Sequence, residues 1–331
     1  MRGARGMNDQ AGKAGDDAAV PPAGGAAAAS RTGGRVDNVP RGIVMMIIAT
    51  ILFAAASAAS KWLVGLYPVG EVLFLRSFSS LIAGAVMIFP VSGLSVYATR
   101  RPRDHILRGL SQTISQLALI LAFSLMPLGG AIAINFSSPL FAALVSILWL
   151  KEPAGYVRGA ALLIGFAGVL IVTDPGANSL TLGALFALIN AVMYGSVTVA
   201  VRGMTRTESP NTLVIWQLSV LAFFHSFLLF FGWRWPTPFG AAMLFGTGFT
   251  NAIGQWFWTR ALHLAPAPAV TPFYYLTLIW ALSFGYLIWG DVPTFGLLAG
   301  SAIVVATGLF LFLREARLQR AIAASKGASR G

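Results

Sequence analysis

Arg76 sits about two turns into an apolar run, EVLFLRSF, that spans Glu71 to Phe78. A charge at mid-bilayer depth costs about 3 kcal/mol or more, so an ionisable side chain there is a functional candidate by default. Turned inward, Arg76 would meet an anionic group of a ligand; turned outward, it would snorkel toward Glu71. Five residues apart on a helix, the two point about 140° away from each other, which disfavours direct pairing. Amides form a second set. Gln112 and Gln116 are four apart and share a helix face, Asn251 and Gln255 repeat that spacing, and Asn135 and Asn190 stand in two further apolar runs. Amides in lipid are costly, so these face a bundle interior, as interhelical glue or as cavity lining. Tyr194, Trp216, Trp256, Tyr274 and Tyr275 offer ring faces for a planar ligand, while Trp233 and Trp235 suit an interfacial belt. His225, well inside another run, titrates near neutral pH and is the candidate for proton coupling. The candidate binding set is Arg76, Gln112, Gln116, Asn135, Asn190, Tyr194, Asn251, Gln255 and Tyr274.

These residues need a membrane around them, and composition supplies it. The chain of 331 residues is 56% hydrophobic and 10% charged, where a soluble domain keeps about a quarter of its residues charged to wet its surface. Its partner is therefore the lipid bilayer. The net charge of +12 sits in tails and short loops, a pattern of topology and not of nucleic-acid binding. With no cysteine, and His105, His225 and His263 far apart, no disulfide, metal centre or cofactor is expected. No Walker-type loop is present either.

A helix needs roughly 20 apolar residues to cross the hydrocarbon core, whereas barrel strands are about ten residues long with alternating polarity. The runs predict helices at 42–60, 70–90, 105–125, 129–149, 156–173, 180–200, 211–232, 238–261, 267–288 and 294–313. Residues 1–40 read as a disordered tail, and 314–331 as a basic tail of similar kind. With both termini cytoplasmic, the inside loops hold Arg100, Arg101, Arg103, Lys151, Arg158, Arg202, Arg206 and Arg260, and the outside loops only Lys61 and Arg234. A multi-pass protein of the inner membrane is expected. Lys61 and Arg202 read as interfacial snorkelling residues. Glu152 and Asp291 read as caps of the helices that follow them. Pro139 and Pro272 fall inside predicted helices and should kink them. Gly165 and Gly168 should permit close helix contact.

The chain also matches itself. At an offset of 139, Gly109 meets Gly248, Gln116 meets Gln255, Pro127 meets Pro266 and Glu152 meets Asp291. At an offset of 141, Gly42 meets Gly183, Phe53 meets Tyr194 and Lys61 meets Arg202. The halves are 41–175 and 176–313, with five predicted helices each. An odd number turns the second copy upside down, so the expected fold is all-α, ten transmembrane helices in two inverted five-helix repeats. Inverted repeats let two half-structures exchange roles between two openings.

The segment SSPLFAALVSILWLKEPAGYVRGAALLIGFAGVLIVTDPG (Ser137–Gly176) and its second copy, TPFYYLTLIWALSFGYLIWGDVPTFGLLAGSAIVVATGL (Thr271–Leu309), resemble the EamA family of the drug/metabolite transporter superfamily. The family pattern is a proline-bearing helix, an acidic turn with Pro and a glycine-rich helix. Glu152-Pro153 fits it, and Asp291-Val292-Pro293 departs by one inserted residue. The resemblance covers about 42–313. It implies a secondary active transporter that carries a small organic metabolite by alternating access, driven by protons or by exchange. Members carry amino acids, purines and other nucleobase-type compounds, riboflavin, S-adenosylmethionine and drugs, and Pro268–Pro293 is most similar to the subgroup with riboflavin and S-adenosylmethionine carriers. The protein would work as a monomer or homodimer. A membrane enzyme would need a clustered catalytic set, and the sequence holds none. A channel, or a non-transporting assembly or sensor protein, stays open as an alternative.

Overall fold

In lipid no water reaches the backbone, so long apolar runs must satisfy their own polar groups, and a helix does this within one segment. The computed structural model describes residues 38–150, 156–173, 181–204, 207–265 and 267–328, and every regular element among them is helical. The elements are α1 (Val39–Val64), α2 (Val69–Ser92), α3 (Pro102–Leu125), α4 (Leu128–Asn135), α5 (Ser138–Leu150), α6 (Tyr156–Thr173), α7 (Leu182–Met204), α8 (Pro210–Ser226), α9 (Pro238–Leu264), α10 (Ala267–Val270), α11 (Leu276–Trp289) and α12 (Phe295–Ala328). Proline opens α3, α8 and α9, where its missing N–H would have had no helical partner anyway. Ser209 and Thr237 cap α8 and α9 by accepting from the N–H three residues on.

Eight segments are long and apolar enough to cross a bilayer, α4 with α5 counting as one. The shorter apolar α6 and the 27-residue α9 complete ten crossings. Two of the expected helices are interrupted. The one predicted at 129–149 breaks at Phe136–Ser137, because Pro139 gives no N–H to the Asn135 carbonyl and its ring crowds that turn. The one predicted at 267–288 becomes the short α10, a 3₁₀ turn over Thr271–Tyr275 that contains Pro272, and then α11. Helix α12 runs on to Ala328, past the predicted end at 313, through a stretch of Ala, Leu, Arg and Gln that favours helix. The expected tail over residues 1–37, Glu152 with Pro153, and the side chains of Arg202 and His263 lie outside the described residues.

With five crossings in each half, the second repeat enters the membrane inverted, and the helix contacts repeat accordingly. Helix α1 packs along α9 as α3 packs along α7, and α2 meets α9 as α8 meets α3. The pairs α2–α8 and α6–α12 join equivalent helices of the two halves. Close approaches recur atom for atom. A Cβ at Gly42 would stand 2.9 Å from the Ala265 Cβ, and one at the equivalent Gly183 would stand 3.1 Å from the Cβ of the equivalent Met126. A Cβ at Gly109 would stand 2.7 Å from the Val220 Cβ, and one at Gly248 3.0 Å from the Ser79 Cβ. Each contact exists because one side lacks a side chain. On α6, Gly168 is pressed against Gly300 of α12 in the same way, in keeping with its expected role. The half-helix α4 lies at the centre, and all of Leu128 to Ile134 is buried.

Candidate binding site between the repeats

The two helix interruptions face each other. Phe136, at the first, has its ring 5.0 Å from Tyr275 and 5.7 Å from Tyr274, both at the second. Phe136 and Tyr275 are equivalent under the offset of 139, so the local twofold passes between them. Tyr274 also meets Phe53 edge-on at 6.2 Å. Tyr194 is within electrostatic reach of Tyr274 and Arg108 and is 41% exposed, so its ring is not sealed by packing and is open to a ligand. Broken helices suit that place, because irregular backbone at membrane depth is tolerated where it is enclosed by protein or lines a cavity.

Three polar clusters tie the helices of the bundle to one another. Half-buried Arg76 of α2 donates to Asn251 Oδ1 of α9 at 3.2 Å and, more weakly, to Ser60 Oγ of α1 at 3.5 Å. The Asn190 amide donates to Asn135 Oδ1 at 2.7 Å and its own Oδ1 accepts from Ser115 at 2.8 Å, tying α7 to α4 and α3. On the far side of Tyr194, Arg108 of α3 donates to Gln217 Oε1 and, at 3.0 Å, to the Leu213 carbonyl of α8. Neither Arg76 nor Arg108 has a carboxylate partner among the described residues, where the ion pairs are Arg101–Asp104 and His105–Glu208. Glu71, fully buried, accepts instead from the Arg234 backbone N–H at 2.9 Å. These two guanidinium charges are thus held by neutral groups and stay available to an anion.

Other expected residues fall elsewhere. Gln112 is buried and makes no side-chain hydrogen bond among the described residues, one turn beyond Arg108. Half-buried Gln116 and exposed Gln255 make no side-chain hydrogen bond that joins them to these clusters. His225 is fully buried, with Nδ1 2.7 Å from Ser77 Oγ, next to Arg76 in the chain and within its electrostatic reach. Trp216 stacks on His105 at 5.2 Å and donates to the Tyr97 carbonyl, so its ring face is already used. Lys61 does not snorkel outward. Its ammonium donates to the carbonyls of Phe123 and Met126 at 3.0 and 2.6 Å, closing the end of α3, and lies 5.3 Å from the Trp289 ring centre. Unpaired carbonyls at a helix C-terminus attract a cation, and this one reaches across from α1. Asp291 lies within electrostatic reach of that ammonium.

Arg108 and Gln217 are the residues that the sequence reading missed. Arg108 follows closely on the basic cluster Arg100–Arg103, within the first turns of the helix expected at 105–125. Two signals pointed to the pair: Arg108 precedes Gln112 by four residues, and an offset of 141 from Arg76 arrives at Gln217.

Residues 40–174 and 181–314 each match the EamA-like transporter family. A riboflavin transporter of Rhizobium johnstonii is 28% identical over 283 residues, 84% of this chain and 93% of its own. An S-adenosylmethionine uptake transporter of Rickettsia conorii is 25% identical over 275 residues, 83% of this chain and 93% of its own. A solved crystal structure, 18% identical, superposes with a TM-score of 0.55 over 84% of this chain and 98% of its own, a likeness of fold alone.

Proposed function

Because this chain belongs to the EamA-like transporter family, we propose that it carries a small planar metabolite with a polar chain, by alternating access between its repeats. It is a permease of small metabolites in the inner membrane, not an enzyme. Riboflavin and S-adenosylmethionine, named for two relatives, both join a flat nitrogen heterocycle to a polar chain. Tyr194 and Tyr274 supply ring faces for the flat part, and the Asn135–Asn190 pair supplies amides for its edge. Arg76, oriented by Asn251, holds the polar chain. The observation that carries this reading is Arg76, a cation inside the bundle whose partners are one amide and one hydroxyl.

His225 is the coupling group in this reading. Its protonation would add a second positive charge one residue behind Arg76 and so bias substrate release. The basic loops at the end where α3 and α8 begin support a cytoplasmic position for that end and for both termini. All three polar clusters are built from one chain, which supports a monomer as the working unit over a homodimer with a shared site.

Transport of labelled riboflavin and S-adenosylmethionine into proteoliposomes, with and without a pH gradient, tests this. Saturable flux of either one, lost in Arg76→Ala while the variant stays folded, is the expected result. Flux at the wild-type level from Arg76→Ala removes Arg76 from the site.

A further inference from the structure

The two arginines occupy related places. The offsets of 141 and 139 carry Arg76 to Gln217 and Asn251 to Gln112. In the first arrangement the arginine is on α2 and its amide on α9; in the second the amide is on α8 and the arginine, Arg108, is on α3, one turn from Gln112. The same helix pairing therefore holds a guanidinium against an amide twice, with the two roles exchanged between the partner helices. Arg76 is seven residues from the start of α2 and Arg108 six from the start of α3. Those consecutive crossings run in opposite directions, so the two cations sit about 10 Å inside opposite ends of the bundle.

Arg108 is more enclosed than a structural tie requires. It is 8% exposed, and its Nε is buried with no partner. The nearby acids are taken, Glu208 by Thr99 and His105 and Asp104 by Arg101. The Tyr194 hydroxyl is within electrostatic reach of Arg108.

We propose that Arg108 is a second anion-binding residue, which takes the oxyanion of the substrate's polar chain over from Arg76 as the permease turns from one opening to the other. The inference rests on the planar-metabolite reading and goes beyond it, since it requires an oxyanion and assigns one cation to each side. A carboxylate and a phosphate would both satisfy it, because each accepts two hydrogen bonds from one guanidinium.

The test uses the purified full chain and three probes: riboflavin, which has no oxyanion, riboflavin 5′-phosphate and S-adenosylmethionine. R108Q should weaken binding of the phosphate or the carboxylate probe by about ten- to a hundred-fold, the worth of one charge-assisted pair. Riboflavin affinity should stay within about twofold, and R108K should fall between R108Q and wild type. In proteoliposomes R108Q should raise KM mainly from the side where α3 begins, and R76Q mainly from the other. Equal weakening of all three probes by R108Q and R108K, alongside a lowered Tm, makes Arg108 structural and overturns the proposal. So does unchanged oxyanion binding in R108Q. Wild-type binding of riboflavin with no gain from its phosphate, and none of S-adenosylmethionine, overturns the role of Arg108 and leaves the planar-metabolite reading standing. Binding of none of the three overturns both.

Discussion

Gly42 against Ala265 and Gly183 against Met126 are one contact made twice, whereas Arg76 and Gln217 fill one position with different chemistry. The first repeat and the second thus agree where helices touch and disagree where a ligand would touch. Asn135 matches Tyr274, and Phe53 matches Tyr194, a polar or apolar group in one half against a tyrosine in the other. Two half-structures that exchange roles must offer the same surfaces to each other, so the glycines recur. A metabolite has no twofold symmetry, so the residues around it have no reason to recur.

Overpacking should break the shared contacts most severely. Gly109→Leu and Gly248→Leu each drive a side chain into the neighbouring helix and should cost about 3 kcal/mol or more, seen as lost folded protein on size exclusion. The two losses should be similar; a large loss from one and none from the other would separate the halves. Next comes Arg76→Ala, with flux down about ten- to a hundred-fold at little cost in stability, against a smaller loss from Gln217→Ala, which leaves Arg108 its bond to the Leu213 carbonyl. Lys61→Met strips the end of α3 of two hydrogen bonds and should lower stability by about 1–2 kcal/mol, read as a drop in Tm of a few degrees. Smallest is Gly246→Ala inside α9, where nothing lies within 4 Å of the added Cβ and Tm should hold or rise by about 1–3 °C, since Ala favours helix over Gly by up to about 1 kcal/mol. The inversion itself can be checked without background, because the chain has no cysteine. Single cysteines at positions 152 and 291 should label from opposite sides of the membrane, and labelling from the same side would contradict the fold.

Much of the architecture was legible because its causes are local. Run length located the crossings, and Pro102, Pro210 and Pro238 begin three of those helices. Pro139 and Pro272 announced the interruptions, since the loss of an N–H acts on the same helix turn. The site was legible only in part. Arg76 meets Asn251, Asn190 meets Asn135, and Tyr194 lies within electrostatic reach of Tyr274, while Gln116 and Gln255, singled out by the same i, i+4 logic, join none of these clusters. Periodicity says which residues share a helix face but not which helix that face meets.

From the amino-acid sequence alone came the membrane, the number of crossings, the duplication and the presence of an uncompensated cation, all set by composition, spacing and the cost of charge in lipid. The tertiary structure decided the partners: Lys61 on the end of α3 instead of at the interface, Glu71 with Arg234 instead of Arg76, Trp216 closed over His105, and Arg108 turned toward Gln217. Each of those choices depends on how neighbouring helices are rotated and how closely they approach. Side-chain interlocking across the whole bundle sets those quantities, and no single segment contains them.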